Sequence, residues 1–158
     1  MGRKHSFMDR EFRTPAFDAD DGGDFEKNLV FVIMPFRGIE MTEVYAAVQD
    51  ECRKLRLNTR RADEYAGSGF VIREVVELIE RAEFIVCDLT DERPNVYYEL
   101  GYAHGVGNEN MDILLVAKAG TELHFDIAPL RVQFYTSAEH LRTIVSSSLK
   151  AMIRATRQ

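Results

Sequence analysis

Asp88 and Glu99 are two of the four carboxylates in the stretch at 84–107, FIVCDLTDERPNVYYELGYAHGVG. Asp88 closes the apolar run Phe84-Ile85-Val86-Cys87, which reads as a strand covered on both faces. A charge at the end of such a strand, ahead of a polar loop and a helix, sits where open α/β sheets hold their ligands. The loop runs over 90–94, Asn95 is expected to cap the following helix, and the helix covers 96–105. Val96, Leu100 and Ala103 are spaced to face the sheet, and Gly101 would allow close backbone approach. In that register Glu99 falls in the first helical turn, where the helix dipole favours the ionised form. An ionised carboxylate so placed can act as a nucleophile or pair with a developing cation.

Each residue also admits a plain structural role. A first-turn glutamate can simply stabilise its helix. Asp88 can bond the loop amides around Thr90 and Asp91. A cap role would by itself explain Asn95.

The elements that must position these groups follow from hydrophobic patterning. LVFVIM at 29–34 is a first, central strand that runs into Pro35-Phe36-Arg37-Gly38. Helical spacing covers 41–55, and a shorter strand is expected at 57–62, followed by a small-residue loop at 65–69. A second helix is expected at 70–82, with Val71, Val75, Leu78 and Ile79 inward. After the unit at 84–105 come a strand at 112–117, an irregular segment at 120–130 and a short strand at 132–135. Ser137 caps a last amphipathic helix reaching about residue 154.

Strands alternating with helices predict a three-layer α/β domain with a five-stranded parallel sheet. The order 2-1-3-4-5 centres the two most apolar strands and puts the topological switch point between the first and third. The loops meeting there carry Pro35, Phe36 and Arg37 on one side, and Asp88, Asp91 and Asn95 on the other. Tyr102, one turn on from Glu99, is the tyrosine best placed to face the same crevice. Arg37 can pair with a phosphate, and Pro35 with Phe36 can form a wall for a base or sugar, although a proline turn is also an ordinary strand exit.

Composition narrows the classes of partner. The chain has 158 residues, 46% hydrophobic and 29% charged, enough for one core. The expected organisation is a flexible N-terminal arm at 1–27 and a single domain at 28–158. A net charge of -6 argues against general nucleic-acid binding or attachment to an acidic membrane surface. Cys52 and Cys87 have neither metal-ligand nor redox spacing and read as core thiols. With no transmembrane-length run and no signal-peptide pattern, the expected location is cytoplasmic. No His/Cys/Asp set has zinc spacing, and the glycines near Gly67 and Gly105 match no phosphate-loop or dinucleotide fingerprint. Neither a metal nor a cofactor is therefore expected.

Taken together, VFVIMPF, IERAEFIVCDLT and PNVYYELGYAHG resemble the nucleoside 2-deoxyribosyltransferase-like superfamily, which includes nucleotide N-glycosidases and related TIR-like proteins. The similarity spans 29–135. It implies a flavodoxin-like or TIR-like sandwich with a ligand across the first and third strand ends, and sites often completed by a neighbouring subunit. The glutamate of the ELG motif, which attacks or ion-pairs with the anomeric carbon in that family, corresponds to Glu99. Asp88 would then hold the sugar hydroxyls or orient Glu99. The family's transferases carry an aspartate in the helix before the third strand, where this chain has Val75, and a hydrogen-bonding residue six before the glutamate, where it has Arg93. These departures point away from base exchange and towards hydrolysis of a nucleoside, nucleotide or NAD-like dinucleotide, or towards binding without turnover or TIR-like assembly. A homo-oligomer is expected, and small domains of this kind often serve as effectors in bacterial stress or phage defence.

Overall fold

The computed structural model describes residues 26–36, 38–62, 71–109 and 111–157. Arg37, the small-residue loop at 65–69 and all of the expected arm except Glu26 and Lys27 lie outside the described residues. The elements in order are β1 (Glu26–Ile33), α1 (Ile39–Lys54), β2 (Asn58–Arg61), α2 (Val71–Arg81), β3 (Ala82–Asp88), a 3-10 turn (Thr90–Glu92), α3 (Pro94–Gly105), β4 (Ile113–Lys118), β5 (Val132–Tyr135) and α4 (Ala138–Thr156).

All strand pairs are parallel, and the sheet order is β2-β1-β3-β4-β5, as the patterning predicted. The chain thus has the five-stranded, flavodoxin-like α/β architecture. β1 and β3 are central because their side chains are apolar on both faces. Val30, Phe31, Phe84 and Ile85 are completely buried.

The strand period of two sorts these side chains into two cores. Val30, Val32, Phe84, Val86, Leu114 and Val116 pack with α1 and α4. Phe31, Ile33, Ile85, Cys87, Leu115 and Ala117 pack with α2 and α3. Val75, Leu78 and Ile79 of α2 are buried in the second core, as their spacing required.

Gly38 precedes α1 with φ of 112°, a conformation that L side chains rarely adopt. Gly101, by contrast, is exposed, and an added Cβ would meet nothing within 4 Å. The close approach expected there does not exist, because α3 turns that position away from the sheet.

At the opposite end of the sheet, Arg157 clasps the domain shut. Its Nε and Nη2 each donate to one oxygen of the buried Glu83 carboxylate at 2.8 Å, and Nη2 also reaches Asn28 Oδ1 at 2.8 Å. Burial pushes the Glu83 carboxyl up, but the Arg157 and Asn28 hydrogen bonds and nearby cations hold it below its ordinary value. Arg157→Ala is expected to cost roughly 2 kcal/mol of stability, the scale of a charge-assisted hydrogen-bond pair. A depressed carboxyl contributes stability above its unfolded pKa and loses it as pH falls through the folded one. Denaturant titrations should therefore show the wild type losing its advantage over the variant in acid.

Candidate active site

The winding of the sheet reverses between β1 and β3, so the segments leaving those strands stand on either side of the switch point, where open α/β sheets hold their ligands. From β1 come Pro35, which is buried, and Phe36, which is 42% exposed. From β3 come Asp88, the 3-10 turn and α3.

The start of α3 differs from the sequence expectation. Arg93, extended at φ -69° and ψ 130°, occupies the N-cap position, and Pro94 follows in the first turn. A proline suits that turn because its missing N–H would have no helical partner there. Asn95 is thus inside the helix and exposed rather than capping it. The same shift moves Glu99 out of the first turn, which contains no acidic residue.

This displacement changes the chemistry. The dipole's influence fades beyond the first turn, whereas Glu99 is only 8% exposed. Loss of water dominates, and burial pushes its carboxyl up to about 7. The expectation that the dipole keeps Glu99 ionised is therefore corrected. Near neutral pH the group is divided between acid and carboxylate. Among the described residues its side chain forms no hydrogen bond and no ion pair. Its charge is felt by the Cys87 thiol, which burial, Asp88 and Glu99 together push well above its ordinary value. Glu99 is thus placed near the end of β3 on the α2–α3 side.

Asp88 is on the other side. It shares the parity of Phe84 and Val86, and its partners belong to the α1–α4 side of the sheet. Thr90 N donates to Oδ1 at 2.8 Å, and the Tyr135 hydroxyl donates to Oδ2 at 2.8 Å. Thr90 Oγ1 lies 3.3 Å from that hydroxyl and accepts from Lys118 N at 2.9 Å. The ends of β3, β4 and β5 are thereby joined through one buried polar network. Burial raises the Asp88 carboxyl above its ordinary value, and the Asp91 charge adds to this; bonds from Thr90 and Tyr135 pull the other way. No hydrogen bond joins Asp88 to Glu99. Both Asp88 oxygens are engaged in the network, which is the loop-bonding role left open by the sequence.

The other candidates divide. Asp91 is exposed, with φ of 62°, and its carboxylate lies 3.9 Å from Arg93 Nη2. Glu92, also left-handed at φ 45°, accepts from the Tyr97 hydroxyl at 3.0 Å. Two consecutive non-glycine residues in this region are uncommon, and such strain survives only where neighbours hold it. The anchored Thr90 on one side and Tyr97 on the other supply that hold. Tyr102 is half-buried and donates its hydroxyl to Glu80 of α2, so it ties two helices together. Arg61, at the end of β2, stacks its guanidinium 4.4 Å from the centre of the Tyr45 ring.

Tyr135 and the hydroxyl of Thr90 are the groups that sequence reasoning missed. The available signal was their polarity at strand ends that otherwise read as buried. Among the described residues no cluster of His, Cys, Asp or Glu is arranged to hold a metal. No described helix is long and apolar enough to cross a membrane.

No protein-family model and no curated protein matches the chain. Solved structures do match. The 2-deoxyribosyltransferase of Bacillus psychrosaccharolyticus, described as a biocatalyst for nucleoside synthesis, superposes with a TM-score of 0.57 at 17% identity, over 72% of this chain and 90% of that one. The fold is similar to that of this 2-deoxyribosyltransferase. The same layered arrangement appears in a flavo di-iron protein variant from Thermotoga maritima (TM-score 0.60, 14% identity, 82% of this chain) and in the flavodiiron protein of Giardia intestinalis (0.53, 12%, 86%). Against those two, this chain spans only 37% and 38% of their length. At such identities the likeness is one of fold. The deoxyribosyltransferase-like resemblance read from the sequence thus has its structural counterpart, and the transferase match takes in nearly the whole of the other chain.

Proposed function

We propose that this chain hydrolyses the N-glycosidic bond of a nucleoside, nucleotide or NAD-like dinucleotide, with Glu99 as the group that meets the anomeric carbon. The observation that carries this reading is a buried carboxylate with no partner among the described residues, in a deoxyribosyltransferase-like fold. A structural glutamate at that depth would be expected to have a hydrogen-bonding or ionic partner.

A Glu99 oxygen bonds to the anomeric carbon as the carbon–nitrogen bond breaks, and the bonding pair leaves on the base, which takes a proton from water. A second water then attacks the glycosyl ester, releasing the free sugar and restoring the carboxylate. Phe36 offers an exposed apolar face for the base or sugar, and Asp91 is exposed on the facing loop for its hydroxyls.

Because Glu99 must be ionised to attack, kcat/KM should rise with pH and level off above about 7, the value to which burial moves its carboxyl. A rate that instead falls through the same pH would make Glu99 a proton donor. Incubation with a panel of nucleosides, nucleotides and NAD, followed by chromatography of released bases, tests the activity itself. Glu99→Gln should lower base release by about 10²–10⁴-fold while ligand binding persists.

A second reading, binding of a nucleotide signal without cleavage, is favoured by Val75. At the position where the transferases carry a helix aspartate, this side chain is 5% exposed and packed in the core. Wild-type protein that binds a nucleotide and releases no base would establish that reading. Phe36, Ile39 at 85% exposure and Phe125 at 75% follow the carboxyl ends of β1 and β4, and they support self-association at the site's rim. Sedimentation should then find an oligomer that Ile39→Glu dissociates.

A further inference from the structure

A concave groove of about 580 Å³ lies between α1 and α4 and takes no part in the site proposed above. Four cations line it, Lys54, Arg142, Lys150 and Arg154, against two carboxylates, Glu51 and Glu139. In a chain of net charge -6 this is a local reversal of sign.

The carboxylates are also already engaged. Glu51 Oε1 lies 2.6 Å from Lys54 Nζ and 3.7 Å from Arg142, and Glu139 lies 3.9 Å from Arg142. Lys150 and Arg154 remain. Both are exposed, and among the described residues neither makes a hydrogen bond or ion pair. They stand one turn apart on the same face of α4, an arrangement that costs helix stability through like-charge repulsion unless an anion sits between them.

Hydroxyls from the preceding turns line the same wall. Ser147 and Thr143 direct their protons to backbone carbonyls of α4, at 3.1 Å and 3.3 Å. Ser146, half-buried and lining the groove, has no hydrogen bond among the described residues and can donate outward.

We infer that the α1–α4 groove binds a small phosphate-bearing anion, held by Lys150 and Arg154 with Ser146 as a neutral donor. Arginine and lysine flanking a free hydroxyl match the charge and the several acceptor oxygens of a phosphoryl group. The groove volume admits a ligand larger than a single phosphate. Since α1 begins beside the β1 loop and ends in this groove, occupancy would engage an element shared by both regions.

The test is a titration of the full chain with inorganic pyrophosphate at constant ionic strength, followed by backbone amide NMR. Saturable shifts should concentrate in α4 from Thr143 to Arg154 and at Glu51 to Lys54. The double substitution Lys150→Glu with Arg154→Glu should weaken binding at least about tenfold, because two attractions become repulsions. Both side chains are exposed, so the variant's thermal midpoint should stay close to that of the wild type, which separates lost binding from lost folding. The inference is overturned if no saturable shift appears, if the shifts centre on Phe36 and Glu99, or if the double variant binds as the wild type does. None of these outcomes depends on whether the chain releases a base.

Discussion

Replacing Glu99 by glutamine is expected to stabilise the protein above neutral pH while removing its activity. The wild-type carboxyl is raised from 4.5 to about 7 by burial. A group whose folded pKa is raised binds its proton more tightly in the folded state. Its stability contribution is complete below the unfolded pKa and is lost as pH rises through the folded one. Above about pH 7 the fold therefore carries the cost of a desolvated charge that has no partner among the described residues. Glutamine has no charge to bury, although it must still accommodate its amide. The net gain should be about 1–3 kcal/mol at alkaline pH, or roughly 2–10 °C in Tm for a domain of this size. The gap should open between about pH 4.5 and 7 and close in acid, where both side chains are neutral. Parallel thermal melts across that range measure it. If glutamine destabilised the fold at every pH, Glu99 would be an ordinary packed side chain, and the catalytic reading would lose its physical basis.

Asp88→Ala is expected to do the opposite. Removal of the carboxylate strips acceptors from Thr90 N and the Tyr135 hydroxyl, both within the buried network. Leaving such groups unpaired costs about 1–3 kcal/mol each, and Tyr135 keeps only its 3.3 Å approach to Thr90. A loss of about 2–4 kcal/mol should follow. Asp88→Asn preserves the volume and one acceptor and should lose less. The consequence reaches the candidate site through the backbone, because Thr90 opens the turn that passes through left-handed Asp91 and Glu92 into α3. Urea titration read together with ligand binding distinguishes the roles. A stability loss with binding restored by the asparagine variant marks a structural hub. Unchanged stability with binding abolished would return Asp88 to direct contact with the sugar.

Much of the architecture was legible in the chain as written. Strand and helix periods differ, and runs such as Val30-Phe31-Val32-Ile33 are apolar on both faces only if covered twice, so central strands and parallel order follow from patterning. The crevice between the β1 and β3 loops follows from that order. Local sequence misled at α3, where Asn95 was the better capping side chain. Pro94 moved the boundary, because its fixed φ and missing N–H suit the first helical turn.

What the linear chain determined was the fold class, the strand order and the neighbourhood of Glu99. Tertiary structure alone decided the electrostatic state of that glutamate, because desolvation depends on what covers the side chain. It likewise decided the company of Asp88, whose partner Tyr135 comes from a strand two places away across the sheet. Alternation along β3 put Asp88 on one face and the environment of Glu99 on the other, so two carboxylates close in sequence came to stand in different surroundings.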